Sequence, residues 1–137
     1  IDVPSILFFL GILLAVSVLE SMLTLQKFSE YLVATIGDQS IIISIIGVLS
    51  AIVDNVPLVA ASMGMYSLDT YPMDHFIWEY LAYCAGTGGS LLIIGSAAGV
   101  AAMGMEKIDF MWYVKKISWL ALIGYAGGAI VYLATHY

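Results

Sequence analysis

The sequence predicts an all-α membrane protein, and three observations carry that prediction. Hydrophobic residues make up 62% of the 137 and charged residues 10%, against roughly 25% charged in a typical soluble domain. The mean hydropathy is +1.02, although a small soluble protein needs polar residues to cover its surface. Four apolar stretches are long enough to reach across a bilayer, and lipid offers no partner for open backbone groups, so they read as helices. A free-standing soluble domain is excluded. A disulfide scaffold is excluded too, because Cys84 is alone. The four basic residues, all lysine, against ten acidic ones give a net charge of −6, which excludes nucleic acid as a partner. The first residue is isoleucine, so the chain reads as a processed or truncated product. No cleavable signal is expected, because the opening apolar run lacks a basic flank and a small-residue cleavage site.

The elements follow in order. Residues 4–25, with Glu20 their one charge, cover ~33 Å as a helix. Residues 27–37 read as an interfacial helix with Phe28, Tyr31, Leu32 and Ile36 on one face. Residues 41–65 are interrupted by Asp54 alone, but Asp54-Asn55-Val56-Pro57 is a poor sequence for unbroken helix. As one span this stretch would be ~38 Å long; as a re-entrant hairpin over 41–67, its two arms would meet mid-membrane at those four residues. Residues 80–104 predict a broken helix, because Gly86, Gly88 and Gly89 surround Thr87 and each glycine weakens a helix by roughly 1 kcal/mol relative to alanine. Residues 106–116 mix Phe110, Trp112 and Tyr113 with three lysines, the composition of headgroup depth. Residues 117–135 are a charge-free final span. Those three lysines put the 106–116 segment in the cytoplasm and the C-terminus outside; Asp69, Asp74 and Glu79 suit the outer side.

Two breaks at membrane depth suggest a binding site between them, because irregular backbone is tolerated there only against protein or a wet cavity. Asp54 is its most informative residue. Inserting a carboxylate among apolar residues costs ~3 kcal/mol, and burial favours the uncharged form. Such a group holds a proton or exchanges it for a metal cation; the competing reading is a structural helix cap. Asn55 and Ser50 supply neutral oxygens of the kind hard cations prefer, Ser50 one helical turn before Asp54. Thr87 and Ser90 supply two more at the second break, where the backbone of Gly86, Gly88 and Gly89 permits close approach. Asp2 and Glu20 are secondary candidates, read first as a helix cap and a snorkelling side chain. Gly95, Gly99, Gly124 and Gly128 read as packing positions, His75 as solvated and Cys84 as helix filler. No catalytic residue is assigned and enzymatic activity is not expected.

The runs SAIVDNVPLVAA (Ser50 to Ala61) and AYCAGTGGSLLIIGSAAGVAAMG (Ala82 to Gly104) resemble the NhaD family of sodium/proton antiporters, as does the opening run from Asp2 to Glu20. The resemblance implies one of two inverted repeats, the C-terminal one, in which a re-entrant hairpin faces a discontinuous helix. It favours the hairpin over the single span. Carried onto this sequence, it assigns Asp54, Asn55 and Ser50 to the hairpin part of the cation and proton site, Thr87 and Ser90 to the broken-helix part, and Asp2 to an acidic position before the first helix. Sodium, with Asp54, Asn55 and Thr87 as ligands, or lithium, would be cargo, and no cofactor is expected. The expected partners are the lipid bilayer and an N-terminal half of the same transporter, with a homodimer as a further option; the expected setting is a bacterial inner membrane. Two other functions fit the composition: an anion carrier of the same superfamily for arsenite or dicarboxylate, and a non-transporting scaffold subunit. The absence of arginine argues against the first.

Overall fold

The computed structural model describes residues 24–136 and, before them, positions 7, 10, 11, 14, 18 and 22. Among the described residues there are seven α-helices and no strand: α1 (Thr24–Ile36), α2 (Gln39–Leu49), α3 (Asn55–Met63), α4 (Phe76–Gly88), α5 (Ala97–Met105), α6 (Phe110–Lys116) and α7 (Ser118–His136), with a 3₁₀ turn at Ile93–Gly95. Asp2, Glu20 and most of the first apolar stretch lie outside the described residues.

Chain chemistry explains the boundaries. Gly37, at φ +80°, takes the left-handed conformation that ends α1. Asp38 then accepts from the Ser40 and Ile41 amides to start α2, and the chain turns by 112°. The apolar stretch from Ile41 to Met65 is not one helix: α2 stops at Leu49, and α3 begins at Asn55 with Pro57 in its first turn, where a missing amide hydrogen costs nothing. The third stretch is also divided, at the last of the three glycines rather than around Thr87. Helix α4 runs through Gly86 to Gly88, and the irregular segment is 89–96. Packing on α2 holds the glycine-rich end helical, and Ser96 restarts the helix by accepting from the Gly99 amide. Of the described helices, α7 alone is long and apolar enough to cross a bilayer by itself.

The core lies where α2, α4 and α7 meet. Ile42, Ile43 and Ile46 pack with Ile77, Tyr80, Leu81 and Cys84, and Tyr125 and Ala129 close the cluster from α7. Helix α1 adds Leu32, Val33 and Ile36, while Tyr31, expected on the same face, points outward. Two hydrogen bonds tie polar atoms together across this core: Ser44 Oγ lies 2.7 Å from the Tyr80 hydroxyl, and the Tyr125 hydroxyl donates to the Ser44 carbonyl at 2.6 Å.

Candidate functional site

The site is built where the end of α2 meets the end of α4. Glycine makes the approach possible: a Cβ on Gly88 would overlap the Gly47 carbonyl and lie 2.7 Å from Ser50 Oγ. One on Gly95 would lie 2.5 Å from the Ser50 carbonyl and 2.8 Å from Ala51 Cα. The interruption after α2 and the irregular segment after α4 therefore touch through backbone, without intervening side chains.

Ser50 joins them. Its side chain is fully buried, and its hydroxyl faces two carbonyls, Gly47 at 2.7 Å on its own helix and Ala85 at 2.9 Å on α4. One proton serves both, and the oxygen lone pairs stay available. Thr87 is not at the irregular segment but in the last turn of α4, where its hydroxyl donates to the Tyr83 carbonyl at 2.6 Å. Ser90 is exposed in the irregular segment, and its carbonyl accepts from the Tyr113 hydroxyl at 2.9 Å. Among the three motif glycines, Gly88 is packed, Gly89 sits 3.0 Å (measured from a built Cβ) from the Gly95 carbonyl, and Gly86 has open space.

Asp54 occupies the N-cap position of α3 with extended backbone, and its side chain makes no cap hydrogen bond. The other N-cap aspartates behave differently. Asp38 accepts from two amides at the start of α2, and Asp109 accepts from Trp112 at the start of α6. Asp54 therefore stands at a capping position with its carboxylate uncommitted to the helix. It is partly buried rather than enclosed, as is Asn55 beside it, and exposed Ile52, Val53 and Val56 surround the pair. Among the described residues no three of His, Cys, Asp and Glu converge, so a cation here would meet one carboxylate and neutral oxygens.

Three contacts at this junction carry no local sequence signal. Tyr113, placed by composition at headgroup depth, reaches back to Ser90; Ala85 offers Ser50 its carbonyl; and Tyr125 lies against Gly47, where a Cβ would also come within 2.7 Å of Cys84. Each joins residues more than 20 positions apart, which periodicity and spacing do not report. His75, read as solvated, caps α4 by accepting from the Ile77 amide at 3.3 Å. Gly95, Gly99 and Gly128 are packing positions as expected, whereas a Cβ on Gly124 would meet nothing within 4 Å.

Comparison with known proteins returns transporters. The chain is 59% identical over 136 residues to sodium/proton antiporter 1 of Arabidopsis thaliana, covering 99% of this chain and 24% of the relative. It is 54% identical to sodium/proton antiporter 2 of the same plant, over 99% of this chain and 32% of the relative. The Na(+)/H(+) antiporter NhaD of Alkalimonas amylolytica is 36% identical over 131 residues, 94% of this chain and 26% of the relative. The chain thus spans about a quarter to a third of the length of these curated relatives. No family model and no solved structure matches it.

Proposed function

Because the chain is homologous to a segment of the sodium/proton antiporters, NhaD-type among them, we propose that it is the C-terminal, cation-handling part of such a transporter. A sodium or lithium ion and a proton compete for the Asp54 carboxylate. Loading sodium releases the carboxyl proton, and binding a proton expels the sodium, so each step exchanges one positive charge for another and the two ions never share the site. Asn55, Ser50, Thr87 and Ser90 complete an oxygen shell. Residues 41–67 form a re-entrant hairpin whose interruption at 50–54 faces the discontinuous helix, and a second, inverted repeat supplies the other side. The ions are cargo, with no resident cofactor and no catalytic step. The lysines at 107, 115 and 116 face the cytoplasm and the C-terminus lies outside. The plant and bacterial sources of the relatives allow a bacterial inner membrane or a plant membrane as its setting.

The observation that carries this reading is the uncommitted carboxylate. Of the three aspartates at N-cap positions, Asp54 is the one whose side chain the helix does not use, and it lies four residues beyond Ser50, which is hydrogen-bonded to α4. An anion carrier fits less well, since arsenite or a dicarboxylate would meet Asp54 in a chain without arginine. A scaffold subunit gives the free carboxylate no role. The test is Asp54→Asn in the full polypeptide reconstituted in vesicles. Sodium-driven alkalinisation or acidification should be abolished while the protein inserts normally; retained exchange removes Asp54 from the mechanism, and uptake driven by succinate would favour the anion carrier.

A further inference from the structure

Outside its 3₁₀ turn the 89–96 segment has no helical ladder to hold it, yet it lies against the interruption after α2. The Ser90 and Leu91 amides donate to the Thr87 and Gly88 carbonyls at 3.1 and 2.9 Å, and the Gly95 amide donates to the Leu92 carbonyl at 3.0 Å. Leu91 and Ile93 are buried, and Gly95 meets the backbone of Ser50 and Ala51. These contacts tie the segment to α4 and α2. A third element reaches it through the Tyr113 hydroxyl of α6, which donates to the Ser90 carbonyl at 2.9 Å.

The sequence of α6 explains why that hydroxyl points inward. Phe110, Tyr113, Val114 and Ile117 recur at helical spacing and are half-buried, while Met111, Trp112, Lys115 and Lys116 are exposed. The inward face packs against the 3₁₀ turn and α7. Asp109 fixes the start of α6 by accepting from the Trp112 amide at 2.9 Å. At the other end the Ile117 amide donates to the Tyr113 carbonyl at 2.8 Å, and the Ala121 amide to the Ile117 carbonyl at 2.9 Å. The backbone of Tyr113 is thus tied into α7, and its hydroxyl transmits that fixed position to Ser90. A peptide group is planar, so holding the Ser90 carbonyl fixes the link from Ser90 to Leu91 and the placement of Ser90 itself.

We propose that Tyr113 is a positioning residue, which holds the 89–96 segment, through the Ser90 carbonyl, where its oxygens complete the sodium shell. The assignment rests on the exchange reading above. A proton needs the Asp54 carboxylate alone, whereas sodium needs the surrounding oxygens as well. Loosening the segment therefore weakens sodium and leaves the proton as it was.

The test is Tyr113→Phe, which removes the hydroxyl and keeps the ring. In the full polypeptide reconstituted in vesicles, the KM for sodium should rise roughly 2- to 10-fold, the effect of one lost hydrogen bond. The maximal rate per inserted molecule, and the pH at which protons begin to compete, should stay at the parent values. In micelles, amide hydrogen exchange across 89–96 should speed up by a similar factor; in Ser90→Ala, which keeps the carbonyl, it should not. An unchanged KM, a shifted proton competition, or unchanged hydrogen exchange across 89–96 in Tyr113→Phe would overturn the proposal. Asp54→Asn separates this claim from the exchange reading. Should that variant still exchange ions, the exchange reading fails, and the sodium KM of Tyr113→Phe still decides the role of Tyr113. Should it be inactive while Tyr113→Phe matches the parent, the role of Tyr113 alone falls.

Discussion

A Cβ on Gly88 would overlap the Gly47 carbonyl, whereas one on Gly86, two positions earlier on the same helix, meets nothing within 4 Å. The two glycines of one motif thus do different work, the first permitting a helix contact and the second leaving helix propensity unused. Gly88→Ala should destabilise the full polypeptide by about 1–3 kcal/mol, the usual cost of overpacking. Gly86→Ala should be neutral or stabilising by up to about 1 kcal/mol, the propensity difference at an exposed helical site. Unfolding titrations in mixed micelles measure both. The glycine run at 86–89 was legible as a special segment, but which glycine is indispensable was not, because the answer depends on Gly47, 41 residues away. Asp54 and Asn55 stood out in the sequence because they interrupt an apolar stretch. That the Asp54 side chain makes no cap hydrogen bond is a geometric fact that composition does not carry.

At the scale of elements, the helix starts separate structural aspartates from the candidate site. Asp38 accepts from two amides of α2, and losing such a cap costs about 0.5–2 kcal/mol. Asp38→Ala should therefore lower stability by that amount, while Asp54→Ala, which removes no cap bond, should stay within about 0.5 kcal/mol. Thermal unfolding of the two variants side by side checks the contrast. The interruption of the 41–65 stretch was legible because proline and two polar residues stood inside an apolar run. Its place, 50–54, is upstream of Pro57, since proline fits the first turn of the helix it begins. The interruption of the third stretch begins only at Gly89, the last glycine of the run, and extends to Ser96, because contact with α2 outweighs the weak propensity of Gly86 and Gly88. Propensity describes a helix alone; here the neighbour decides.

As a whole molecule, the chain leaves Trp119, Leu120, Leu122, Ile123, Ile130 and Val131 of α7 exposed, together with Ile41, Ile45, Val48 and Leu49 along one side of α2. Large apolar surfaces of this kind are unfavourable in water and ordinary against lipid or further helices, in keeping with a segment that makes up about a quarter to a third of its antiporter relatives. The all-helical class was legible from composition together with the four long apolar stretches. The meeting of the two interruptions is not local information, as it rests on contacts such as Gly95 with the Ser50 carbonyl. The central claim is that one carboxylate holds either a proton or a sodium ion. Calorimetric titration of the full polypeptide with sodium, in buffers of different ionisation enthalpy, tests it most directly. On the acid side of the Asp54 carboxyl group, the pH range in which the test is made, the account predicts one proton released for each sodium bound, an apparent affinity that weakens about tenfold for each further pH unit downward, and neither effect in Asp54→Asn. Sodium binding that releases no proton, or proton release that survives in Asp54→Asn, would contradict it.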